Sequence, residues 1–361
     1  MPCNFIGNGY CRTFKAASAL APKRIIVCSD GTWNVPDPTD GSKATNVAKI
    51  YRAIPPVAPD GVQQLAFYDA GIGSKGFLDW LVPGHTGIGL WRKVLSGYRF
   101  IAENWAPGDE VYLFGFSRGA YTVRCLAGFL GMAGLFDKSE LSARLPAAWT
   151  AFERERWREP NHPLPIKLVG VWDTVDSLGL PVPLLRQLTR PRLRFDDGCL
   201  GPHVANGFQA LAIDEIRSAF VPILWTNDPA PGQRIEQVWF SGVHADCGGG
   251  YAEDGLSDLA LNWMLRRAEE CGLCFDPDYE RREIHANPKQ ALHKELKGLH
   301  RLLPLHRRTI LGTNPRTERV HWSAAARFDD ASAGYRPDNL RRALALHGRA
   351  IVTEPSEDAA D

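Results

Sequence analysis

Three side chains in this sequence have the types and the chain order needed for nucleophilic acyl chemistry. They are Ser117 in GFSRG, Asp173 in GVWDTVDSLG and His244 in FSGVHADCGGGY. A serine hydroxyl is a poor nucleophile until a base takes its proton, and a histidine base needs a third group to orient it. Ser117 stands between Gly115 and Gly119. A serine on a strained turn needs small residues two places away on either side, and glycine leaves that room. The residues after the serine read as a helix, so the Arg118 amide lies at a helix amino end and can donate to a developing oxyanion. A second amide is expected from a loop after an earlier strand. SDGTWN offers Thr32 or Gly31, with Asp30 bracing the loop. Asp176 and Asp246 are the reserve acids. Gly248, Gly249 and Gly250 let the histidine loop bend back over the serine. This chemistry needs no metal and no organic cofactor.

The elements that must position these groups are legible as alternating apolar runs. RIIVCSD (24–30), QLAFYDAG (64–71), EVYLFGFS (110–117), IKLVGVWD (166–173) and QVWFSGVHAD (237–246) read as strands covered on both faces. Helical spacing is expected over 89–105, 118–134, 205–220 and 256–272. The alternation predicts an α/β-hydrolase-like, doubly wound, mostly parallel sheet with helices on both faces. Reactive groups of such sheets gather at the carboxyl ends of the strands. The polar residues there are Asp30, Asp69, Ser117, Asp173 and His244. The order serine, acid, histidine is the one α/β hydrolases use.

Residues 22–275 are expected to form the catalytic core. Residues 276–345, irregular and charged, read as an extension packed on it, and 1–21 and 346–361 as flexible termini. The chain has 361 residues, 44% hydrophobic and 23% charged, with a formal net charge of +1. That composition suits a globular protein and supplies no general field toward nucleic acid. No apolar run reaches the roughly 18 residues of a membrane span. The first residues lack a continuous apolar signal region, so the expected location is the cytoplasm, or export without a cleaved signal. The eight cysteines are scattered, and most read as reduced thiols.

Four other features carry less. GHTGIG (84–89) lacks the ending of a phosphate loop. The single C-x-x-C of Cys271 and Cys274 is weak ground for zinc or redox work. LGLPVPLLRQL (178–188) could line an acyl pocket, and HRRT (306–309) reads as a solvated basic turn. Two rival functions remain. One is a metal-dependent phosphoesterase using Asp30, Asp173, His244 and Asp246 as ligands, and the other is a binding module on a hydrolase scaffold.

CSDGTWN, TNVAKIYR, GFSRGAYTVRCLAGFL, GVWDTVDSLG, DEIRSAFVPILW, QVWFSGVHADCGGGY and the tail VHWSAAARF with YRPDNL, in that order from about Arg24 to Leu340, resemble one α/β-hydrolase family. Its best-known members are phospholipase effectors of bacterial type VI secretion systems. The resemblance implies a Ser117, Asp173, His244 triad and hydrolysis of lipid esters. It also implies at most peripheral membrane contact, and an immunity or secretion-system protein as partner. The chain departs from the family pattern at Gln209-Ala210, where His-Ala is expected.

Overall fold

The computed structural model describes residues 22–31, 43–70, 85–153, 162–175, 198–295 and 305–355. Thr32, Asp176 and the 178–188 stretch lie outside the described residues.

The strands are β1 (Arg24–Ser29), β2 (Gln64–Asp69), β3 (Glu110–Phe116), β4 (Ile166–Trp172), β5 (Val204–Ala212), β6 (Arg234–Phe240) and β7 (Glu318–Val320). They form one sheet in the order β2-β1-β3-β4-β5-β6-β7, and every pairing is parallel. The helices that matter here are α1 (Asn46–Ala53), α2 (His85–Asn104), α3 (Arg118–Ala133), α4 (Leu141–Glu153), α5 (His244–Gly248), α6 (Gly255–Glu270), α7 (Pro277–Glu283), α8 (Trp322–Asp329) and α9 (Asp338–His347).

The apolar runs are continuous because both faces of the sheet are covered. On β1, Ile25 and Val27 join one buried cluster, with residues of α2, α3 and α4. Ile26 and Cys28 join the other, with residues of α1 and α6. Burying a side chain such as Phe129 or Phe208 contributes about 1.5–3 kcal/mol.

Three expectations need correction. The helix expected over 205–220 is strand β5 for its first part. Ala, Gln and Leu there favour a helix locally, but β4 and β6 flank the segment on both sides and pairing overrides that weak preference. The C-terminal extension is not merely laid on the core, since β7 completes the sheet beside β6. The flexible end expected from 346 is held as far as 355. Ile351 is buried, Val352 bridges Val320, and the Thr353 amide donates to the Val320 carbonyl at 2.8 Å. A short edge strand leaves unpaired backbone groups, and this segment takes some of them.

Candidate active site

Ser117 follows β3 and precedes α3 at φ 58°, ψ −121°. Asp173 follows β4 at φ 42°. Among the described residues, Leu311 is the other non-glycine residue with positive φ. Such conformations cost about 1–3 kcal/mol and persist only where the surroundings over-determine them. The glycines around the serine leave no room for a side chain. A Cβ on Gly119 would stand 2.0 Å from the Ser29 carbonyl oxygen, and one on Gly115 would stand 2.5 Å from that of Gly119. The turn is pressed between β1 and its own helix. Ser117 is buried, its side chain makes no capping bond, and its amide donates to the Trp172 carbonyl at 3.0 Å.

His244 opens α5, just beyond β6. Its Nδ1 donates to Asp173 Oδ2 at 2.5 Å, with both residues buried. The imidazole packs at 4.7 Å against the ring of Phe116, the residue before the serine, and at 4.9 Å edge-on against Phe220. Gly248 permits this approach, because a Cβ there would fall 2.0 Å from the Phe116 ring. The His244 amide donates to Glu215 Oε2 at 3.3 Å, and Glu215 is gripped by Arg217.

Asp173 has four donors. Besides His244, the Ala212 amide reaches Oδ1 at 3.1 Å, Arg308 Nη1 reaches Oδ1 at 2.6 Å and Arg308 Nη2 reaches Oδ2 at 2.9 Å. Full burial works to raise the carboxyl pKa. The Arg308 charge and the His244 hydrogen bond outweigh it and hold the group well below the usual carboxylate range. The expectation of a solvated HRRT turn is therefore wrong for Arg308, which is 2% exposed. Charge runs usually face water because burying a guanidinium is costly, and here a carboxylate offsets that cost.

Asp30 is held within its loop. Its Oδ2 accepts from Thr45 Oγ1 at 2.5 Å and Tyr68 Oη at 2.6 Å, and its Oδ1 from the Gly31 amide at 2.6 Å. That last bond corrects the alternative of Gly31 as an oxyanion donor, because its amide is already engaged. The Arg118 amide stands in the first turn of α3, where no intrahelical acceptor exists. Asp246 is a brace as well. It accepts from the Val243 amide at 3.0 Å and from His293 Nδ1 at 2.6 Å. Asp69 lies across the sheet edge, 3.0 Å from Lys93 Nζ.

Of the four ligands of the metal-dependent rival, Asp173 and His244 bond each other, Asp30 is held within its own loop, and Asp246 is held by Val243 and His293. Among the described residues no group of three or more His, Cys, Asp or Glu side chains is arranged to hold a metal ion. Cys271 caps α6, and Cys274 lies in the segment that follows it. The Cys271 carbonyl accepts from Tyr112 Oη, and the Cys274 backbone pairs with the Gln64 side chain. Gln209 is buried in β5 and donates to the Ile223 carbonyl at 2.9 Å, a structural role at the departure point. Sequence reasoning missed Arg308, Phe220 and Glu215 as parts of the site. The DEIRSAF stretch signalled the last two without showing what they touch.

A strained serine after β3 and a buried acid–histidine pair beyond β4 and β6, all at the carboxyl edge of one parallel sheet, mark a hydrolase-like α/β domain. Residues 23–267 match the family model described as the T6SS phospholipase effector Tle1-like catalytic domain, and the chain belongs to that family. An uncharacterized protein of Saccharomyces cerevisiae is 28% identical over 258 residues, 62% of this chain and 36% of its own length. An uncharacterized protein from Pseudomonas aeruginosa is similar in structure at TM-score 0.45 and 19% identity, over 74% of this chain and 49% of that one. The Tle1 effector, solved bound to the VgrG spike of the type 6 secretion system, is similar at TM-score 0.43 and 16% identity, over 78% of each chain. The chain therefore spans about a third of the yeast relative and half of the Pseudomonas protein. Among the described residues no helix is long and apolar enough to cross a membrane.

Proposed function

We propose that this chain is a serine esterase that cleaves acyl esters of lipids through Ser117. The observation that carries the reading is the Asp173–His244 hydrogen bond, with the imidazole lying against the ring that precedes the strained serine. In the proposed cycle Ser117 Oγ attacks the ester carbonyl while His244 Nε2 takes its proton. Asp173 holds the imidazole through Nδ1 and stabilises its charged form. The Arg118 amide meets the oxyanion, and Thr32 is the second donor. Collapse of the tetrahedral intermediate expels the alcohol, protonated by His244. The same imidazole then deprotonates water, which releases the acid and restores Ser117.

Two features favour phospholipid over neutral ester. The family is named for phospholipase effectors. The Arg118 side chain is partly buried beside the nucleophile and makes no ion pair among the described residues. Burial lowers its pKa to about 10, which leaves it a cation at neutral pH, suited to an anionic substrate. On this reading an immunity or secretion-system protein is the partner to look for.

The test is fluorophosphonate labelling of the purified protein with Ser117→Ala and His244→Ala as controls, followed by a panel of phospholipids and neutral esters. Labelling lost in both variants supports the reading. Labelling retained in Ser117→Ala sinks it.

A further inference from the structure

The group that holds Asp173 from behind lies beyond the stretch matched by the family, residues 23–267. We propose that Arg308 is a positioning residue for the acid of the Ser117–His244–Asp173 relay. The segment Leu305–Leu311 is then part of the active site. This rests on the serine-esterase reading above.

The contact is a fork on a carboxylate, with Nη1 on Oδ1 at 2.6 Å and Nη2 on Oδ2 at 2.9 Å. Two near-parallel bonds fix the plane of a carboxylate, where one bond would let it swing. In that plane Oδ2 meets His244 Nδ1 at 2.5 Å. The guanidinium also donates to the carbonyls of Ala212 and Phe220, both at 2.7 Å. One side chain thereby ties the ends of β4 and β5 to the turn whose Phe220 ring packs edge-on against His244. It sets both the acid and one wall of the base.

The segment is anchored on either side of the arginine. Leu305 pairs with Arg217 in an isolated bridge, and the His306 amide donates to the Ile216 carbonyl at 2.8 Å. On the other side the Leu311 amide donates to Glu318 Oε2 at 2.8 Å, at a residue held in positive φ. Arg308 Nε has no hydrogen-bond partner among the described residues. A buried arginine with one orphan donor is a costly way to gain stability alone. The expense is understandable if the carboxylate's orientation and charge matter to the reaction.

Among the described residues, the other groups facing Asp173 and His244 are Glu215, paired to Arg217, the buried thiol of Cys247, and the rings of Phe116 and Phe220. Arg308 is thus the cation in direct contact with the acid. Removing it deletes a positive charge that competes with a proton for the site, so the acid limb of activity moves to higher pH.

The experiment compares wild type, Arg308→Met and Arg308→Lys in the full chain. The readings are thermal melting, fluorophosphonate labelling rate, and kcat/KM for a short-chain ester from about pH 5 to about pH 9. For Arg308→Met, a fall of about 10²-fold in labelling rate and kcat/KM is expected, with the acid limb displaced upward. Arg308→Lys retains the position of the limb and recovers only part of the rate, because its ammonium cannot make the fork. A folded Arg308→Met with the wild-type rate and pH profile overturns the proposal. If that variant does not fold, a folded Arg308→Lys with wild-type rate overturns it equally. Ser117→Ala, measured alongside, separates the two ideas. Its continued labelling would remove the serine-esterase reading itself, whatever Arg308 does.

Discussion

From Arg24 to Glu270, the residues proposed for chemistry stand at the carboxyl ends of strands, each next to a turn that glycine or strained backbone makes tight. Ser117, Asp173 and His244 all follow this pattern. From Leu305 to Pro355 the chain reaches the same site differently. Arg308 comes from an extended stretch between an isolated bridge and a turn, held by side chains and single backbone contacts. The difference teaches that the sheet aims groups by its geometry, while the C-terminal segment aims one by cross-bracing. Sheet-borne positions are therefore intolerant of bulk. The braced position is intolerant of lost polar partners.

The largest effects should break the sheet-borne half. Ser117→Ala or His244→Ala should lower ester hydrolysis by about 10⁴-fold or more, with melting temperature little changed, measured by labelling and calorimetry. Gly119→Ala drives a Cβ to 2.0 Å from a backbone oxygen and should cost more than about 4 kcal/mol, seen as loss of folded protein. Gly61→Ala is the contrast. It has φ +81° and open space, so it should cost only about 1–2 kcal/mol in urea denaturation.

The braced half is tested at Glu318, which is fully buried on β7. It accepts from Trp239 Nε1 and from the amides of Leu311, Thr313 and Asn314. Glu318→Ala leaves those donors unpaired and should cost on the order of 3–5 kcal/mol. If the segment is integral to the site, labelling should slow in the same variant at temperatures where it remains folded. Destabilisation with an unchanged labelling rate would show that the two halves are separable.

The smallest effect compares two acids that follow adjacent strands, Asp173 after β4 and Asp214 after β5. Burial pushes Asp214 up to about 6, against bonds from the Gly242 amide and Tyr335 Oη that act in the opposite direction. Its unfolded value is about 3.9, so between these values the folded state keeps a proton that the unfolded state has released. Stability from this group is full below about pH 4 and lost as pH rises to about 6. Asp173 has the opposite sign. Its contribution is complete above about pH 4 and is lost as pH falls. Asp214→Asn should flatten the decline between about pH 4 and 6 in urea denaturation and leave the acid-side loss intact.

Much of the fold was legible because both causes are local. Continuous Val, Ile and Phe runs mark strands covered on two faces, and glycines spaced two residues from Ser117 mark a turn that excludes a Cβ. The placement of Ser117, Asp173 and His244 at strand ends, those of β3, β4 and β6, followed from the same runs, although the intervening β5 did not. Two strands were not legible. β5 is rich in residues that suit a helix, and β7 has three residues, too short for any period to show.

The amino-acid sequence by itself determined the parallel α/β sheet, the strained serine turn and the residue types at the strand ends, since these depend on neighbours within a few positions. Only the tertiary structure decided that Gly31's amide belongs to Asp30, that Asp246 serves His293, and that Arg308 of an unremarkable basic run lies against Asp173. Arg308 and Asp173 are 135 positions apart. Burying a guanidinium is unfavourable until a carboxylate and two carbonyls meet it in one place, and that meeting is a property of the folded chain, not of any stretch of it.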